Sequence, residues 1–191
     1  VLPGRVGAAR VGTGKDAGGL LEVVPNSRSM DDIGKSGSPS LYHYFVNRYG
    51  NPGSAAFVAA QRNFARSSAA YAVACLLLWI KDRHNGNILV NADGHFIHID
   101  FGFLLGISPG GNLGFETASF KLTQEMVDIL GGVGAEPYLY FQELACRGML
   151  LAHQQAATID TLVSGMADSG LECYHFDTTL QFLPHRQRWS D

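Results

Sequence analysis

The stretch KDRHNGNILVNADGHFIHIDFG, residues 81–102, decides how the rest of the chain is read. Two short runs rich in β-formers, residues 87–90 and 95–100, flank Asn91-Ala92-Asp93-Gly94. Asp-Gly closing such a loop is a hairpin signal. With the turn at 91–94, Val90 faces His95 and Asn87 lies roughly opposite His98. Extending that ladder sets residues 85–87 beside Asp100, so a carboxamide and a carboxylate arrive at one end of a small sheet.

Both groups are hard oxygen ligands. Mg²⁺ takes one or two such protein ligands, keeps part of its water and fills the remaining positions with phosphate oxygens. Asn87 and Asp100 are therefore the candidate metal ligands, for Mg²⁺ (or Mn²⁺) carried by ATP. Asp82, Arg83 and His84 precede the hairpin. A histidine there can accept the proton of an attacking hydroxyl, because its free pKa lies near neutrality. Asp82 can orient that histidine or the hydroxyl, and Arg83 can pair locally or neutralise phosphate charge. Phosphoryl transfer asks mainly for positioning and charge stabilisation. The order D-R-H, then Asn87, then Asp100-Phe101-Gly102 follows the logic of a kinase catalytic loop.

Outward from this stretch the pattern is mostly helical. Ser54 reads as the N-cap of a long helix running from residue 55 to about residue 80, apolar at Phe57, Val58, Phe64, Ala65, Tyr71, Ala72, Cys75, Leu76 and Trp79. Its second half is apolar all round, which predicts burial. Further helices are expected at 41–49, closed by Gly50-Asn51-Pro52, and at about 123–130, 137–152 and 156–168. Residues 20–24 read as a strand or extended connector, 26–39 as a loop with one short helix, and the glycine-rich 102–120 as a long loop of the functional kind.

Composition sets the bounds. The 191 residues are 46% hydrophobic and 16% charged, which is globular, and the net charge of -3 gives no reason to expect a nucleic-acid partner. Cys75, Cys146 and Cys173 have no metal spacing and read as reduced thiols of a cytoplasmic protein. The longest apolar run, residues 69–80, is too short to cross a bilayer. The chain begins at Val1 and reads as excised from something longer.

The segments KDRHNGNIL, HIDFGF, SPGGNLGFE and FKLTQEM resemble the phosphatidylinositol 3- and 4-kinases, most of all the type III 4-kinases. The run from Leu20 to Ser29 is more like the alpha form than the beta form. The resemblance implies an α+β fold: a kinase C-terminal lobe, mostly helical, with a small hairpin at the site. Residues 1–25 would supply the last strand of the other lobe and the hinge. Residues 26–170 would be the C-terminal lobe, with catalytic loop 81–88 and activation loop 100–121, and 171–191 a truncated or divergent segment. It further implies that Glu22, Val23 and Val24 hold adenine through their backbone over an apolar floor of Leu89 and Ile99. His84 would be the catalytic base with Asp82 beside it, and residues 103–120 would meet the lipid headgroup. Substrate-loop candidates are Phe103, Ser108, Gly111, Asn112, Phe115 and Lys121. The implied partner is phosphatidylinositol at a membrane surface, with room for regulatory subunits.

One feature of the loop bears on substrate independently. A site for a polyphosphorylated headgroup presents Lys or Arg to it. Residues 103–120 contain neither, and Glu116 is acidic; the first base is Lys121. That favours phosphatidylinositol itself.

Other patterns carry less. His95, His98 and Asp100 could be drawn as a metal triad, but strand alternation sends 95 and 98 to opposite faces, so His98 is expected to be structural. Gly110, Gly111 and Gly114 read as loop flexibility, Tyr138, Tyr140 and Phe141 as core, and Arg186, Arg188 and Trp189 as a solvated end. The chain also departs from the family pattern. No phosphate-gripping loop precedes residue 22, and Lys15, seven residues before Glu22, is not placed to serve the phosphates. Two other readings therefore stand: an inactive kinase-like binding module, or a kinase of protein Ser/Thr.

Overall fold

The long helix begins where the sequence places its cap. In this computed structural model, which describes residues 8–11, 18–105, 107–109, 118–166 and 169, Ser54 is extended and its hydroxyl accepts the N–H of Phe57 at 3.2 Å. In chain order the elements are β1 (Ala8–Val11), β2 (Gly18–Leu21), β3 (Ser27–Ser29), α1 (Met30–Lys35), α2 (Leu41–Tyr49) and α3 (Ala55–Leu78). A 3₁₀ turn (Asn85–Asn87) leads into β4 (Ile88–Asn91) and β5 (Phe96–His98), followed by α4 (Gln124–Ile129), α5 (Glu136–Gln154) and α6 (Ala156–Gly165).

The helix α3 is the spine. Phe57, Ala60, Phe64, Ala65, Ala69, Ala72 and Cys75 are buried along it at helical spacing. The aromatic rings of Phe45, Phe64 and Phe96 join α2, α3 and β5 edge to face, with centroids 5.5 and 5.4 Å apart. On the far side Gly148 lets α5 approach α3: a Cβ there would lie 3.0 Å from Val73 Cγ2. Tyr138, Tyr140 and Phe141 do join the core, Phe141 buried and the tyrosines partly so.

Polar stitches fix the hairpin on α3. The buried Ser67 hydroxyl donates to the carbonyl of Asn63 and accepts the N–H of Phe96 at 2.8 Å. Tyr49 Oη donates to the Asn91 carbonyl and Asn63 Nδ2 to the Asp93 carbonyl, both at 2.9 Å. Glu125 of α4 accepts the N–H of Leu41 at the start of α2, and Gln61 donates to the Ile129 carbonyl.

The β-elements differ from expectation in three ways. Ser27–Ser29, expected within a loop, is an edge strand antiparallel to β4, with Ser29 opposite Leu89. Residues 8–11 form a strand paired with β2, where no element was expected. The hairpin register is shifted by one residue. Ile88 pairs with His98 and Val90 with Phe96, so the turn comprises residues 92–94 and Asn91 faces His95. The cause is local: Asn91 Oδ1 accepts the N–H groups of Asp93 and His95, and Gly94 is left-handed at φ +84. The helix expected to reach residue 168 ends at Gly165.

The new register sorts the sheet faces. Ile88, Val90 and Phe96 lie in the core against α3, with His98 beside them. By alternation Asn87, Leu89, Ile97 and Ile99 share the opposite face.

Gly94 should not tolerate a side chain. A Cβ would sit 2.7 Å from Ala60 Cβ and 2.8 Å from its backbone, on a left-handed residue. Gly94→Ala is expected to cost about 2–4 kcal/mol in a denaturant titration. Gly37→Ala, at φ +80 but in open space, should cost only about 1 kcal/mol.

Candidate active site

The segment linking α3 to β4 reverses direction through left-handed residues. Trp79 ends α3 at φ 49, and Asp82 follows at φ 61. Its neighbour across the site repeats the device, with Asp100 at φ 58 and Leu105 at φ 53. Aspartate tolerates this region, whereas Trp79 and Leu105 hold it against their preference. The two segments are zipped together, Lys81 N–H to the Phe103 carbonyl at 2.9 Å and Leu105 N–H to the Leu78 carbonyl at 2.8 Å. Leu105 is buried in a small cluster with Val163, against which Leu78, Leu104, Ile107 and Ile159 pack.

Arg83 locks the assembly from within. Only 3% exposed, it donates from Nε to the Lys81 carbonyl at 2.8 Å and from one terminal nitrogen to the Ile99 carbonyl at 2.7 Å. The other terminal nitrogen donates to the Asp100 carbonyl, and the guanidinium lies over the Phe101 ring at 5.5 Å. These bonds are local pairing: Arg83 faces inward and holds Ile99 and the start of D-F-G.

With Ile99 N–H bonded to the Asn87 carbonyl at 3.0 Å, Asn87 is the cross-strand neighbour of Ile99, one residue from Asp100. Asn87 is 7% exposed, and its Nδ2 donates to the Asp82 carbonyl at 3.0 Å, which reserves Oδ1 as the oxygen available to a cation. Asp100 is exposed. One carboxamide and one carboxylate, both oxygen donors, fit Mg²⁺ bound together with nucleotide phosphates. Among the described residues no group of three His, Cys, Asp or Glu is placed to hold a metal ion.

His84 caps the 3₁₀ turn, its Nδ1 accepting the N–H of Gly86 at 3.0 Å. The neutral ring therefore carries its proton on Nε2, which lies 4.0 Å from Asp82 Oδ2. His84 is exposed and Asp82 half-buried, so the pair faces solvent at the mouth of the site. His98 is structural as expected, though by packing more than by hydrogen bonds: it stacks on Tyr71 at 4.4 Å with Nδ1 3.7 Å from Cys75 Sγ. Burial, then the charges of Arg83 and Lys121, push its pKa down to about 3, keeping it neutral.

Leu89 and Ile99 are half-buried on the outward sheet face, beside Asn87. Residues 22–24 connect β2 to β3 without regular structure, and Val23 is 78% exposed. The Val24 carbonyl accepts from Ser27 Oγ at 2.9 Å. Phe103 and Ser108 are half-buried near the start of the expected substrate loop. Gly111, Asn112 and Phe115 lie outside the described residues. Lys121, a substrate-loop candidate, donates from Nζ to the Arg83 carbonyl at 3.0 Å and to Asn85 Oδ1 at 2.7 Å. Sequence reasoning missed Lys81, whose buried side chain donates to the Ala118 carbonyl; its position directly before D-R-H was the available signal.

Residues 8–176 match the model of the family described as phosphatidylinositol 3- and 4-kinase. The chain belongs to that family. It is 45% identical over 169 residues to phosphatidylinositol 4-kinase beta of Xenopus laevis and 44% identical to that of Rattus norvegicus, 88% of this chain in each case. The chain spans about a fifth of the length of these relatives, 21%. Both are beta forms, so the leaning of residues 20–29 toward the alpha form is corrected. The helix-rich body with its small antiparallel sheet is the kinase-like C-terminal lobe of this family.

Arg83→Met would take the guanidinium donors away from three backbone carbonyls at a buried position. Its expected cost is about 3–5 kcal/mol in a denaturant titration, and Arg83→Lys should recover only part, since an ammonium lacks the fork.

Proposed function

We propose that this chain is the catalytic lobe of a kinase that transfers the γ-phosphoryl group of ATP to the 4-hydroxyl of phosphatidylinositol. The observation that supports the reading is the bond from the Ile99 N–H to the Asn87 carbonyl, which brings the backbone of Asn87 to within one residue of Asp100, with Asp82 and His84 on the loop that leads into Asn87. Adenine would rest on Leu89 and Ile99, held by the backbone of Glu22, Val23 and Val24. Mg²⁺, or Mn²⁺ in its place, would be held by Asn87 and Asp100 and would neutralise charge on the phosphates.

In the transfer the inositol hydroxyl oxygen bonds to the γ-phosphorus, the bond to the ADP oxygen breaks and the hydroxyl proton goes to a base. His84 is the first candidate, with Asp82 orienting it. The Gly86 N–H on Nδ1 favours a second division of labour. The neutral His84 then offers Nε2–H to a phosphoryl oxygen, and the Asp82 carboxylate takes the proton. Arg83 supports both by holding the loop.

The substrate loop contributes by what it lacks. Residues 103–120 contain no Lys or Arg, and the next base, Lys121, is turned toward the catalytic loop. That combination suits a headgroup without added phosphates. No helix among the described residues is long and apolar enough to cross a membrane. In this reading the lipid would be met peripherally, from the cytoplasmic side, with regulatory subunits as further partners. The domain division proposed is hinge to residue 25, lobe to residue 170 and a divergent remainder.

The test is the full-length protein with labelled ATP and vesicles. Phosphatidylinositol should be labelled at the 4-position and phosphatidylinositol bisphosphate scarcely at all. Labelling of protein alone would replace the lipid reading with the protein-kinase one, and no labelling at all would favour the binding module. Asp100→Asn should lower turnover by at least about a thousandfold while the unfolding midpoint stays put.

A further inference from the structure

The loop expected to bind substrate is fastened at both ends to the catalytic loop. At its start Lys81 N–H bonds the Phe103 carbonyl and Leu105 N–H bonds the Leu78 carbonyl. At its end the fastening is done by two lysine side chains. Lys81 Nζ donates to the Ala118 carbonyl at 3.1 Å. Lys121 Nζ donates to the Arg83 carbonyl at 3.0 Å and to Asn85 Oδ1 at 2.7 Å.

The targets of Lys121 matter. Arg83 and Asn85 are the residues on either side of His84. Asn85 opens the 3₁₀ turn that contains Asn87, and His84 is its cap. One ammonium thus grips the main chain before His84 and the side chain after it, 36 to 38 residues away in sequence. Lys121 is half-buried, so these charge-assisted bonds are partly shielded from water. Two residues on, Thr123 occupies the N-cap position of α4, its carbonyl accepting the N–H groups of Met126 and Val127, and Glu125 ties α4 to α2; the grip is therefore anchored in the helical body.

We infer that Lys121 is a positioning residue, which holds His84 and the Asn87 turn in register for phosphoryl transfer and is not a contact to the lipid headgroup. The inference rests on the lipid-kinase reading above for its substrate, though not for its geometry. A headgroup contact would act on lipid affinity. A positioning residue acts on every reaction of the γ-phosphate, including its transfer to water when no lipid is present.

The experiment compares wild type, Lys121→Met and Lys121→Arg in the full-length protein. Three readouts are taken: phosphatidylinositol phosphorylation in mixed vesicles, ATP hydrolysis without lipid, and amide exchange at residues 84–87. In Lys121→Met, kcat should fall by about tenfold to a hundredfold in both reactions, as expected for loss of charge-assisted bonds. KM for phosphatidylinositol should stay within about twofold, and exchange at Gly86 and Asn87, whose N–H groups bond His84, should accelerate. Lys121→Arg should restore part of kcat, since it keeps a donor and a charge. A raised KM for phosphatidylinositol, with hydrolysis and exchange unchanged, would overturn the inference and make Lys121 a headgroup contact. Unchanged values throughout would overturn it as well. If wild type phosphorylates no lipid, the lipid reading fails, and hydrolysis and exchange still decide the role of Lys121.

Discussion

A buried guanidinium with three main-chain carbonyls around it is the constraint on which the site depends. An arginine buried without partners would cost far more than the lobe can supply, so Arg83 and the carbonyls of Lys81, Ile99 and Asp100 must be placed together or not at all. That requirement fixes where β5 ends relative to the catalytic loop. Asp82 and Asp100 are both left-handed next to the clamp; the Asp100 carbonyl accepts from Arg83, and the Asp82 carbonyl accepts from Asn87 Nδ2. The arrangement separates holding from chemistry. Arg83 grips peptide groups, and Asp82, Asn87 and Asp100 are the residues proposed for proton and cation.

The clamp works because the hairpin cannot slide. Ser67 takes the Phe96 N–H in the core, Tyr49 and Asn63 fasten the turn, and Gly94 lies too close to Ala60 for the turn to shift. A one-residue slip would turn Asn87 from the outward sheet face toward α3, while Ile88 would lose the core. Packing against α3 thus sets the position of the proposed metal ligands, and the core and the site are two faces of one strand pair.

Much of this was legible in residue order. The capped helix beginning at Ser54 follows from a hydroxyl before a 3.6-residue pattern, and the juxtaposition of Asn87 with Asp100 follows from a hairpin around Asp-Gly. The error of one residue in register arose because Asn91 contributes its side chain to the turn and its backbone to the ladder, which strand patterning does not report. The edge strand Ser27–Ser29 was missed because its polar sequence has no apolar alternation; β4 imposes the pairing from outside. For Arg83 the sequence left local pairing and phosphate neutralisation both open, and the bonds of Lys121 to the Arg83 carbonyl and Asn85 were not legible, since a basic residue looks the same in sequence whether it faces a ligand or the backbone.

In the proposed reading, Arg83 shapes the cation site without touching it. The most direct measurement is the affinity of the full-length protein for a non-hydrolysable ATP analogue, by calorimetry, with and without Mg²⁺, in wild type and in Arg83→Lys. The account predicts that Mg²⁺ strengthens binding in wild type and that this strengthening collapses in Arg83→Lys as it does in Asp100→Asn, while metal-free binding is little changed. Full Mg²⁺ enhancement in a folded Arg83→Lys protein would contradict it.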